Sequence, residues 1–119
     1  MNQGMLFEKS CEKLFVKRGF TIMKRGSRSS DGGIDIIMES ESTGNIIGVQ
    51  CKFTKKPVGR PDVQKFYGAL SHHNFAGISF DKGFLVSVSG FSDEAVQYVN
   101  KVNSKRDERF LRLLDFDEL

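Results

Sequence analysis

In the stretch DGGIDIIM, Asp35 stands directly between Ile34 and Ile36, inside what otherwise reads as a buried strand. A carboxylate taken out of water is costly unless it is paired, hydrogen-bonded or bound to a metal. Further along, GVQCKF alternates polar and core-type residues. Strand side chains point to opposite faces in turn, so Val49, Cys51 and Phe53 share one side and Gln50 and Lys52 the other. The same alternation puts Ile34, Ile36 and Met38 on one side of IDIIM, with Asp35 and Ile37 on the other. If the two segments pair as a hairpin, Asp35, Gln50 and Lys52 converge at one end of a sheet. A carboxylate, an amide oxygen and an ammonium then face a common point. Spacing alone leaves two readings open, a structural Asp35–Lys52 ion pair and a site for a hard cation such as Mg²⁺, which takes oxygen ligands and keeps several waters.

The elements that must hold these groups can be read from the periodicity. Residues 5–18 place Phe7, Cys11, Leu14 and Phe15 at helical spacing, and Gly19 stops the pattern. A short β-like run at 20–23 is followed by the polar loop KRGSRSSDGG. The turn chemistry of ESESTGN joins IDIIM to IIGVQCKF, which makes 34–53 a hairpin. KKPVGRP breaks regular structure, and Pro61 suits the first turn of a helix running to about residue 70, with Val63, Phe66, Tyr67 and Leu70 on one face. An apolar strand at 83–89 precedes a helix capped by Ser92, with Asp93 and Glu94 in its first turn, running to about residue 101. A last strand falls near 110–114. The order αβββαβαβ argues for an α/β fold, a mixed sheet flanked by helices.

A chain of 119 residues is long enough for one compact domain with a real core, and 1–119 reads as a single domain. No apolar run approaches the ~18 residues of a membrane span, and MNQGMLFEKSCEKLF is too charged for a secretory signal, so a cytoplasmic location is expected. The two cysteines, Cys11 and Cys51, form no CxxC pair and read as small core residues. The net charge of +3 is unevenly distributed. Residues 1–30 carry seven bases against two acids, residues 31–51 four acids and no base, and residues 52–65 five bases and one acid. An acidic island between basic blocks is the pattern of a cation-holding centre within a polyanion-binding face, and also of plain solvated surface.

The constellation D-x14-Q-x-K, preceded by SSDGG and followed by a basic loop, resembles the PD-(D/E)XK nuclease superfamily, and within it the Mrr-type restriction endonuclease domain. The resemblance spans nearly the whole chain, from GMLFEKSCEKLFVKRGF through SSDGGIDIIM, GVQCKF, RPDVQKFYGAL and KGFLVSVSGFSDEAVQYV to LLDFDEL. It implies the restriction-endonuclease-like fold and a Mg²⁺-dependent DNA endonuclease, with Mn²⁺ able to substitute. Carried onto these residues, it makes Asp35 the metal-binding carboxylate, Gln50 the residue of the second acidic position and Lys52 the catalytic lysine. Glu8, from the Phe-Glu pair of the opening helix, reaches the metal through water, and the backbone carbonyl of Cys51 is a further ligand. Gln50 replaces the superfamily's usual acid, as the Mrr-like branch does, and removes one negative charge from the site; Ile34 replaces the usual proline.

The resemblance further implies products with 5′-phosphate and 3′-hydroxyl ends, and double-stranded DNA as partner. A homodimer, or a separate recognition domain or subunit, would choose the target. Arg25, Arg28, Lys55, Lys56 and Arg60 lie in the flanking loops as phosphate contacts, with Gln64 on the next helix. A competing function keeps the fold but not the chemistry: a catalytically inactive DNA-binding module. Asp31 reads as a turn residue, and His72 and His73 as surface residues in a loop.

Overall fold

The computed structural model describes residues 2–25, 33–71, 77–106 and 108–119. Helix α1 (Gln3–Lys17) starts at Asn2, whose side chain accepts the Met5 N–H at 2.8 Å, and ends before Gly19 at φ +93°. Strands β1 (Phe20–Arg25), β2 (Ile36–Ser40) and β3 (Ile46–Lys52) follow, then α2 (Arg60–Ser71), β4 (Lys82–Ser87), α3 (Asp93–Ser104) and β5 (Leu111–Asp115). Ser92 caps α3 by accepting the Ala95 N–H at 3.1 Å. The expected order of elements is the observed one, closed by a short 3-10 turn at Phe116–Glu118.

The five strands lie in sequence order in one sheet. β1, β2 and β3 are antiparallel, with Ile36 opposite Val49 and Glu39 opposite Ile46, so the expected hairpin forms. β3, β4 and β5 run parallel, with Lys52 opposite Ser87, and α2 and α3 make the two crossovers. Both crossover helices pack on one face, where Val63, Phe66, Leu70, Ala95 and Val99 cover Ile37 and Leu85. Helix α1 covers the other face, where Phe7, Cys11 and Phe15 meet Ile36, Met38, Val49, Phe84 and Val86. Gly48 and Gly83 let α2 settle close to the sheet, because a Cβ on Gly48 would lie 2.6 Å from a Leu70 methyl and one on Gly83 would overlap the other.

One expectation about faces is corrected. Ile34 does not share a side with Ile36 and Met38; it is buried with Ile37 beneath α2 and α3. Regular pairing of β2 begins at Ile36, so the two-residue alternation does not carry back across Asp35. Ile34 and Ile36 therefore anchor opposite faces, and Asp35 sits between them at the end of the sheet. On α2, Ala69 joins Val63, Phe66 and Leu70 in the buried stripe, while Tyr67 is only half-buried.

Candidate active site

Antiparallel pairing brings the start of β2 beside the end of β3, which places Asp35 and Lys52 at the same edge of the core. The Asp35 N–H donates to the Val49 carbonyl at 2.7 Å, and its Oδ2 accepts the Cys51 N–H, also at 2.7 Å. The β3 backbone therefore holds Asp35 by its main chain and by its carboxylate. Desolvation pushes the Asp35 carboxyl up to about 7. The Cys51 hydrogen bond and the Lys52 charge pull it down, while Glu8 pushes it further up, by its charge and by a hydrogen bond between the two carboxyl groups. The opening helix thus brings Glu8 to Asp35 from the α1 side of the sheet.

The opposite side is supplied by α2. Asp62, in its first turn, lies 3.7 Å from Lys52 Nζ, with side-chain exposures of 47% and 28% respectively. Such a pair, open to solvent, adds about 0–1 kcal/mol to stability. It points the lysine toward the first turn of α2. Sequence reading missed Asp62; an acid two residues into a helix that follows the Lys52 strand was the available signal. Gln50 is buried, and its Oε1 accepts no hydrogen bond from the described residues. Its amide packs so closely on Gly33, at φ +78°, that any Cβ there would overlap Nε2. The last glycine of SSDGG is therefore a close-approach position.

The Cys51 side chain belongs to the core under α1, as expected of a small core residue, and a hydrogen bond to Cys11, together with burial, raises its thiol pKa. Its main chain borders Asp35. Lys55 and Lys56 are exposed on a tethered loop: the Lys56 carbonyl accepts Ser89 Oγ at 2.8 Å, and the Val58 N–H donates to the Gly90 carbonyl at 2.9 Å. Arg60 and Gln64 are exposed on α2 and face α3. Arg25 closes β1 opposite Ile36, and its side chain is outside the description. Arg28, Asp31, His72 and His73 lie outside the described residues.

The donor set suits a hard divalent cation. The Asp35 carboxyl is partly desolvated and feels the negative charge of Glu8, and a cation beside it removes the penalty of its own charge. Among the described residues no group of three or more His, Cys, Asp and Glu side chains is gathered at one point. The donors would have to be Asp35, Glu8, the Gln50 amide oxygen and main-chain carbonyl oxygen, all of the oxygen type Mg²⁺ prefers.

Comparison with known proteins identifies the family and the fold. The restriction endonuclease family Mrr_cat matches residues 2–119. The type IV methyl-directed restriction enzyme EcoKMrr of Escherichia coli (strain K12) is 35% identical over 81 residues, 67% of this chain and 25% of the enzyme. A repair endonuclease from Pyrococcus abyssi superposes with a TM-score of 0.64 at 14% identity, over 98% of this chain and 48% of that one. The protein chain of an EndoMS–dsDNA complex superposes with a TM-score of 0.59 at 15% identity, over 92% of this chain and 44% of that one. The fold is thus restriction-endonuclease-like, and the chain spans a quarter of its enzyme relative and just under half of these two structures. No helix among the described residues is long and apolar enough to cross a membrane.

Proposed function

The chain belongs to the Mrr_cat family of restriction endonucleases, and from that premise we propose that it is a single Mg²⁺-dependent nuclease domain that hydrolyses phosphodiester bonds in double-stranded DNA. The observation that carries this reading is that, at one sheet end, the partly desolvated Asp35 carboxyl, held by the Cys51 N–H, lies within the electrostatic reach of Glu8 and of the Lys52 ammonium. The work would be restriction of foreign DNA, or a related repair or junction cleavage.

Asp35, Gln50, the Cys51 carbonyl and Glu8, the last through water, would hold the metal, with Mn²⁺ as a substitute. Bound there, the ion supplies Lewis-acid polarisation of a phosphoryl oxygen and a lowered pKa for water. Lys52 reaches toward the charge that builds on the phosphorus oxygens, where a compact ammonium in a partly desolvated site is most effective. Asp62 restrains that lysine while the substrate is absent. The Cys51 N–H orients Asp35 through Oδ2. Lys55, Lys56, Arg60 and Gln64, with Arg25 and Arg28, contact phosphates and make affinity salt-dependent. A homodimer or a separate recognition subunit positions two such sites on two strands.

Gln50 in an acidic position favours one alternative, a DNA-binding module that does not cut. The two readings part on incubation of supercoiled plasmid with the purified protein. Nicking in Mg²⁺ or Mn²⁺ that stops in EDTA is expected. A folded, DNA-binding protein inert with both ions would leave the module as the account, and cleavage that persists in EDTA would remove the metal.

A further inference from the structure

A cleft of about 510 Å³ runs between α2 and α3 on the face away from Glu8, and four of its walls are cationic: Arg60, Lys101, Lys105 and Arg106. No acidic side chain lines it among the described residues, although Glu94 borders a recess beside its Arg60 end. Lys101 and Lys105 close α3, where cations suit the helix dipole, and that alone would explain the two lysines. It does not explain the arginines. Arg106 donates to Tyr67 Oη at 3.1 Å and lies 4.0 Å over the Phe110 ring, and Arg60 lies 5.7 Å over Tyr98. Both guanidiniums are held on aromatic faces, with donors left over for an anion.

The cleft and the candidate site share the first turn of α2. Arg60 opens α2 two residues before Asp62, the partner of Lys52. From Arg60 to Tyr67, where Arg106 is bound, the helix rises about 10 Å, the length of about three nucleotides of one strand. We propose that this cleft is a second phosphate-binding track, which carries the DNA backbone away from the cleavage position along α2 and α3. The inference rests on the nuclease reading and extends it to Lys101, Lys105 and Arg106, which the sequence did not single out. Charge complementarity chooses the occupant: two arginines held on aromatic rings and two exposed lysines, with no acid among the described lining residues, match the regular phosphates of a duplex.

The test is fluorescence anisotropy of a short labelled duplex in EDTA across a NaCl series, with the full chain. Wild type is compared with Lys101→Gln/Lys105→Gln, Lys101→Arg/Lys105→Arg and, at the site loop, Lys55→Gln/Lys56→Gln. Both α3 lysines are exposed, so the Gln variant keeps the core contacts. Loss of two phosphate contacts makes the slope of log K against log salt shallower by about 1.8, with roughly tenfold weaker binding at low salt. The Arg variant keeps the wild-type slope. If the Gln variant binds as wild type while the loop variant weakens, DNA bypasses the cleft, the track is refuted and the nuclease reading stands; an acidic polypeptide would then be the cleft's remaining occupant. If wild type binds no duplex, the nuclease reading fails and the track with it.

Discussion

Lys52→Ala is expected to bind duplex DNA within a few-fold of wild type and to cleave it about 10²–10³ times more slowly in saturating Mg²⁺. That magnitude is typical of removing one preorganised group that meets charge developing in the transition state. The structure separates this loss from a folding defect. The lysine's ion pair is its contact with Asp62, both groups are partly exposed, and such a pair contributes about 0–1 kcal/mol. Lys52→Ala therefore melts close to wild type. Cleavage kept within a few-fold of wild type would reduce Lys52 to a surface partner of Asp62 and move the chemistry elsewhere.

Asp35→Asn is expected to lose cleavage and yet to be more stable than wild type at pH 8. The folded-state pKa of Asp35, about 7, stands above its ordinary value of 3.8 because burial and Glu8 disfavour the charge. Between those values the folded protein keeps a proton that the unfolded chain has lost. Stability therefore falls as pH rises from 3.8 to 7, and the penalty stays in full above that window. Asparagine can still accept the Cys51 N–H and carries no charge to desolvate. Discounted for partial exposure, the gain at pH 8 is ~1–2 kcal/mol, or roughly 5 °C in Tm, fading toward pH 4. Mg²⁺ raises the wild-type Tm at pH 8 by binding the ionised pair and leaves Asp35→Asn unmoved. Equal melting of the two proteins at pH 8 would mean that Asp35 is already compensated by a partner inside the protein.

Most of the architecture was legible because helix and strand periods in this chain are clean. Phe7, Cys11 and Phe15 mark the buried stripe of α1, and the Gly19, Pro61 and Ser92 signals fall at element ends. The hairpin pairing followed from a short turn between two apolar runs, and it was enough to bring Asp35 and Lys52 together. The face of Ile34 was not legible, because alternation holds only inside a regular ladder, and the chain enters that ladder one residue after Asp35. Asp62 escaped notice because its role depends on where α2 lands relative to β3, a tertiary fact with no local signature. The same holds for the α2–α3 cleft, whose cations come from positions more than forty residues apart. Glu8 was picked out by family resemblance alone; the electrostatics add that it raises the Asp35 pKa.

The central claim is that Asp35 holds the ion that cleavage requires. It is tested most directly by measuring Mn²⁺ binding calorimetrically in wild type and Asp35→Ala, alongside nicking of the same supercoiled plasmid by each protein. The account predicts that wild type binds Mn²⁺ and nicks, and that the variant, still folded, loses both together. A folded Asp35→Ala that keeps Mn²⁺ affinity and nicking activity would contradict it.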